Sequence, residues 1–177
     1  MSVAIMERPP RNIMEVFNSL PEGTLAQVIE NCLFMSPAPL EIHQKIVGKL
    51  FVLLSNHIDE HELGEARIAP YDVYLDEENV FQPDIVFISN ERLHLIEKNG
   101  LHGAPDLVIE ILSPSTARFD LQQKKMVYER CGVQEYWIVD PQSKAVHGYR
   151  LRNNSFDPLP KAIGHLNSDL LHTTFRF

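Results

Sequence analysis

Residues 103–114, Gly-Ala-Pro-Asp-Leu-Val-Ile-Glu-Ile-Leu-Ser-Pro, form an apolar run that reads as a buried strand yet carries two carboxylates, Asp106 and Glu110. An ionised carboxylate in a low-dielectric core costs on the order of several kcal/mol unless a cation, a metal or hydrogen-bond donors compensate it. Strand alternation puts Asp106, Val108, Glu110 and Leu112 on one face and Leu107, Ile109 and Ile111 on the other, so both acids share a face. The pattern points to a site rather than to packing alone.

The segments around this strand read as a mixed α+β (α/β) chain. Residues 1–11, with two prolines and no periodicity, are a loose arm. Ile13, Val16, Phe17 and Leu20 fit a short amphipathic helix, and 24–34 mixes a possible short helix with a strand at Cys32-Leu33-Phe34-Met35. The longest helix follows, with Leu40, Ile42, Ile46, Val47, Leu50, Phe51 and Leu54 at helical spacing. Strands over 67–75 and 80–88 flank a turn at Asp76-Glu77-Glu78-Asn79 and are expected to pair.

After the 104–112 strand, Ser113-Pro114-Ser115-Thr116 offers an N-cap to a helix over 117–131, with Gly132 placed for its stop. Strands at 135–139 and 145–151 follow. A strand, a helix and a strand make a crossover unit, so 104–112 and 135–139 should be parallel neighbours. Residues 152–177 are weakly patterned, with 169–177 available as an edge strand or for packing on a partner.

At 177 residues and 44% hydrophobic, the chain suffices for a single domain with a substantial core. No apolar stretch reaches membrane-spanning length and no basic-then-apolar leader opens the sequence, so a cytoplasmic protein is expected. Cys32 and Cys131 lack CxxC or Cys/His spacing and read as buried small side chains rather than zinc ligands or a disulfide. The formal charge of −8 argues against a protein that coats nucleic acid by long-range attraction, but a metal site needs clustered acids of its own. No histidine pair makes an HExxH motif, and His57 with His61 among acids reads as a solvated helix end.

If the preceding strand lies alongside, Asp84 in Gln82-Pro83-Asp84-Ile85 comes close to Glu110. Carboxylates from two strands suit a hard divalent cation, which takes oxygen ligands and leaves positions for water and substrate phosphate. Asp120, Lys124 and Tyr128, spaced by four, share a helix face from which Lys124 could point back over the strand ends. A lysine beside a metal-bound water could orient the nucleophile and stabilise charge developing on a phosphate. Asp106 could join the site or bond backbone amides at the strand entrance.

The order Pro83-Asp84, then Glu110 within 105–115, then Asp120, Lys124 and Tyr128, then Gly132-Val133-Gln134-Glu135-Tyr136-Trp137-Ile138-Val139-Asp140-Pro141, resembles the Uma-type restriction-endonuclease family of the PD-(D/E)xK nuclease superfamily. Ile29 to Pro37, followed by His43, resembles that family's opening, so the likeness spans about residues 20–150. It implies a restriction-endonuclease-like core, a mixed β-sheet flanked by helices, with Asp84, Glu110 and the Ile111 carbonyl as Mg²⁺ (or Mn²⁺) ligands. The superfamily's usual lysine position, two after the second acid, is Leu112 here, and Lys124 matches the relocated lysine of the Uma-type pattern. Lys125, about 100° away around the helix, ranks second. Glu30, Asp106 and His43 are accessory candidates, while Asn31 and Cys32 depart from the family's glycine and acid.

The implied activity is endonucleolytic hydrolysis of DNA phosphodiester bonds, with RNA also open and a homodimer expected. The competing reading is a catalytically idle nuclease fold retained as a nucleic-acid or protein interaction module.

Overall fold

The structure, a computed structural model, describes residues 8–113, 117 and 119–177. Asn12 accepts the Glu15 N–H (2.9 Å) and caps α1 (Ile13–Asn18). In place of the mixed helix and strand expected over 24–34, β1 (Ala26–Ile29) and β2 (Cys32–Met35) form an antiparallel hairpin. Its two turn residues, Glu30 and Asn31, both have positive φ (47° and 62°), the geometry that matches the twist of a two-residue hairpin. Helix α2 (Glu41–Glu60) buries Ile46, Val47, Leu50, Leu54 and Ile58 along one stripe.

The two β stretches expected as single strands each divide at a proline. Pro70 separates β3 (Gly64–Ile68) from β4 (Val73–Asp76), and Pro83 separates β5 (Asn79–Phe81) from β6 (Ile85–Ser89). Proline has no N–H for a ladder, so pairing stops there. The halves do pair as the hairpin reading expects: β4 with β5, and β3 with β6 from Gly64↔Ser89 to Ile68↔Ile85. They belong to different sheets, and the division leaves Asp84 at the start of β6.

A 3₁₀ turn (Asn90–Leu95) and two short strands, β7 (Ile96–Glu97) and β8 (Gly100–His102), lead into β9 (Leu107–Ile111), the carboxylate-bearing strand. The expected cap at Ser115-Thr116 lies outside the described residues. Helical structure resumes as a π-helical segment (Phe119–Lys124) that runs into α3 (Lys125–Cys131), which Gly132 ends at φ 86°. The expectation of a regular α-helix here is corrected. The rest is β: β10 (Glu135–Val139), β11 (Ala145–Arg152), β12 (Ser155–Pro158), β13 (Ala162–Ile163), β14 (His165–Ser168) and β15 (Thr173–Arg176).

The main sheet runs β12-β11-β10-β9-β6-β3, with β13 also on β11; a second sheet runs β2-β1-β5-β4-β8-β7. Strands β9 and β10 are parallel, from Leu107↔Glu135 to Ile111↔Val139, as the crossover reading requires, and the main sheet's other pairings are antiparallel. Odd-numbered residues of the central strands (Ile85, Phe87, Leu107, Ile109, Ile111, Trp137, Val139) pack with α2. Even-numbered ones (Val86, Ile88, Val108, Tyr136, Ile138) pack with Val127 and Tyr128 of α3 and with the second sheet. Fully burying one such aliphatic is worth about 1.5–3 kcal/mol, so this two-sided core fixes the register of β9.

The weakly patterned C-terminal segment is ordered against the main sheet. Glu135, 1% exposed, accepts Ser168 Oγ–H (2.7 Å), the Asp169 and Leu170 N–H groups (3.0 and 2.9 Å) and Trp137 Nε1–H (3.1 Å). The edge strand expected over 169–177 pairs with β14 as a separate hairpin. Cys32 is exposed and Cys131 half-buried, so the expectation of two buried cysteines is corrected; Cys32 sits on the outermost strand of its sheet. Among the described residues no helix is long and apolar enough to cross a membrane.

Candidate active site

Glu110 lies on the even face of β9 and therefore meets the helical segment that follows. Lys124 donates from Nζ to Glu110 Oε1 at 2.9 Å, and Tyr128 donates its hydroxyl to the same oxygen at 2.8 Å. Asp120 Oδ1 stands 3.0 Å from Nζ on its other side, an ion pair by distance although not aligned as a hydrogen bond. Glu110, Asp120 and Lys124 are each at most 3% exposed. The four-residue spacing anticipated this cluster; the π turn brings Asp120 and Lys124 to it from the end of the helix, where such irregularities often serve a site.

One ammonium thus serves two buried carboxylates, with a third nearby. Burial pushes Glu110 up to about 8; Lys124 opposes the shift, and the charges of Asp120 and Asp84 reinforce it. Burial alone would discharge Lys124, but Asp120 and Glu110 outweigh it and raise its pKa further. Burial beside Glu110 likewise holds the Tyr128 hydroxyl in its protonated, donating form.

Asp84 enters from the adjacent strand. The last ladder pair of β6 and β9 is Ile85↔Ile109, so beyond it Ile111 N–H has lost its strand partner. The Asp84 carboxylate takes that N–H at 2.7 Å. The same oxygen, Oδ2, lies 3.2 Å from His43 Nε2 on α2. Burial works against the charged imidazole, but Asp84, Glu110 and the Ile111 main chain prevail and raise its pKa.

Asp84, Glu110, Ile111, Lys124 and His43 all line one cleft of about 570 Å³. Two accessory candidates are elsewhere. Glu30 occupies the exposed hairpin turn, with Arg130 3.9 Å from its carboxylate. Asp106 is consumed structurally: it accepts Ser89 N–H (2.7 Å) and Gln134 Nε2 (2.9 Å) and faces Arg92 Nε at 3.3 Å. It bonds backbone at the strand entrance, one of the two readings open from sequence. Lys125 points away, its Nζ 4.1 Å from the Tyr149 ring centroid.

The donor set fits a hard cation of the Mg²⁺ type in one specific way. Among the described residues no three His, Cys, Asp or Glu side chains stand together to cage a metal. Two carboxylates, Asp84 and Glu110, do converge on the cleft with the Ile111 main chain between them. Such a site leaves coordination positions for water and phosphate, as Mg²⁺ prefers. The mutual repulsion that helps raise Glu110 is what a divalent cation would relieve.

A mixed sheet with a glutamate on its central strand, an aspartate at the start of the neighbouring one and a lysine from the following helix defines a restriction-endonuclease-like protein. The profile of the Uma2 family, described as "Putative restriction endonuclease", matches residues 14–169, and the chain belongs to that family. The fold is similar to that of a crystal structure described as "a putative nuclease belonging to DUF820" from Anabaena variabilis ATCC 29413, with TM-score 0.74, 21% identity and 92% of each chain covered. No curated protein matches the chain significantly.

The sequence signals understated Tyr128 and Asp120, which share the lysine's spacing of four and prove to be its neighbours at Glu110. Nothing local announced the hydrogen bond from Ile111 to Asp84, because it depends on where the β6 ladder ends.

Proposed function

We propose that this protein is a divalent-metal-dependent endonuclease that hydrolyses phosphodiester bonds of DNA. The observation that carries the reading is the buried Lys124 ammonium, 2.9 Å from Glu110 in the cleft that Asp84 also lines. A core lysine spanning two acids is expensive to maintain for stability alone, since well-packed apolar residues usually do as well. Asp84, Glu110 and the Ile111 carbonyl would hold Mg²⁺ or Mn²⁺. Such an ion, when bound, polarises a phosphate and lowers the pKa of a water.

The chain's own groups supply the rest. Lys124 stays protonated, so it contributes charge next to a phosphate rather than acting as a base. Tyr128 and Lys124 together fix the Glu110 carboxylate, and Ile111 N–H fixes Asp84. His43 is a positioning residue: its Nε2 holds the Asp84 carboxylate from the α2 side.

The test is cleavage of single-stranded and duplex DNA by the purified protein with Mg²⁺ or Mn²⁺, beside Asp84→Ala and Glu110→Ala. Cleavage by the unaltered protein that both substitutions abolish supports the reading. Equal cleavage by all three, or none by any, rejects it. Calorimetric titration with Mn²⁺ should show heat that Asp84→Ala removes.

A further inference from the structure

The cleft that Asp84, Glu110 and Lys124 line has a second kind of wall. Pro37 and Leu40, from the segment between β2 and α2, and Ile68 and Pro70, at and beyond the end of β3, present apolar surface to it, and Gln27 and Gln44 add amides. Leu40 and Ile68 are 57% and 36% exposed, so this apolar surface is open in the free protein. None of it is needed to hold a cation or a phosphate.

Charge argues against a paired helix lying in the cleft. A duplex is gripped chiefly through its phosphates, by several lysines and arginines. Among the described lining residues Lys124 is the single lysine or arginine, and it is committed to Glu110 and Asp120, while His43 is held at Asp84. The cleft's volume of about 570 Å³ is on the scale of one small molecule, such as a single nucleotide.

An unpaired nucleotide fits both facts. Its base offers flat apolar faces to proline and aliphatic side chains and a polar edge to amides, while its phosphate reaches the carboxylate–lysine end of the same cleft. Taking a base out of a duplex carries an unstacking cost that a single strand does not incur. We propose that the cleft binds an unpaired nucleotide, so that the strand to be cut is single-stranded or locally unpaired DNA. This inference rests on the nuclease reading above and specifies its substrate.

The experiment measures fluorescence anisotropy of the full chain with a labelled oligo(dT) strand and with the same strand paired to oligo(dA). Ca²⁺ replaces Mg²⁺ so that binding is read apart from cleavage. The single strand should bind about ten-fold tighter or more. Leu40→Glu and Ile68→Glu, both at exposed positions, should erase that preference without lowering the melting temperature. Val52→Glu, at a 56% exposed position that does not line the cleft, should leave it intact. Equal affinity for strand and duplex, or a preference that survives both cleft substitutions, overturns the proposal. Asp84-dependent cleavage without strand preference overturns it while sparing the nuclease reading. Strand preference without cleavage supports the cleft assignment and rejects the nuclease reading instead.

Discussion

Ile111 gives its backbone N–H to Asp84 Oδ2 at 2.7 Å, so the strand that carries Glu110 also holds the carboxylate opposite it. Two functions of Asp84 can therefore be separated by substitution. Asparagine keeps an oxygen acceptor for that N–H; alanine strands it, at about 1–3 kcal/mol. Asp84→Asn should unfold in urea close to the unaltered protein, and Asp84→Ala distinctly earlier. Both should lose Mn²⁺ binding by calorimetry.

Lys124 is the counter-charge for Glu110 and Asp120. At pH 9, where Glu110 is ionised, Lys124→Met removes it and leaves two charged carboxylates in the core, which should cost about 3–5 kcal/mol in urea unfolding. Adding Glu110→Gln should recover part of the loss, because one uncompensated charge goes with it. Additive losses in the double variant would show that the pair is not coupled.

The pH dependence of the metal-free protein follows from Glu110, raised to about 8. Between its ordinary carboxylate range and 8, the folded protein holds a proton that the unfolded chain has released. Stability is then greatest at the acid end of that window and falls as pH rises toward 8. Urea midpoints from pH 5 to 9 should show this decline, and Glu110→Gln should flatten it.

Gly148 of β11 faces Trp137 on β10, its register partner. A β-carbon there would lie 2.2 Å from the indole ring, which sits in the core against α2. Gly148→Ala should destabilise by about 1–3 kcal/mol through overpacking, read as a lower thermal midpoint. An unchanged midpoint would mean that the ring has room to move.

Glu135 ties the β14–β15 hairpin to the main sheet through Ser168 Oγ and the Asp169 and Leu170 amides. Glu135→Ala should release that hairpin before the rest unfolds. Hydrogen exchange should show faster exchange at 165–176, with the amides of β9 still protected.

Residue spacing within single segments carried much of the architecture. Alternation in 104–112 set Glu110 on one face, the apolar stripe of α2 covered the other, and the spacing of Asp120, Lys124 and Tyr128 put them on one side of a helical turn. The parallel pairing of β9 with β10 followed from a strand, helix and strand in order. All of these are local periodicities, and a local period survives whatever the chain does later.

Other assignments depended on where distant segments meet. Glu30 and Asp106 are acids of the same type as Asp84, yet a turn with positive φ exposes the first, and Ser89, Arg92 and Gln134 absorb the second. Cys32 became exposed because its strand is an edge. By itself the sequence determined the long helix α2 and its apolar stripe, the central strands β9 and β10 and their parallel order, and the unusual carboxylate at Glu110. Only the tertiary structure decided which charges share the cleft, because a buried carboxylate is defined by partners that come from several other elements: α2, β6 and the turn before α3.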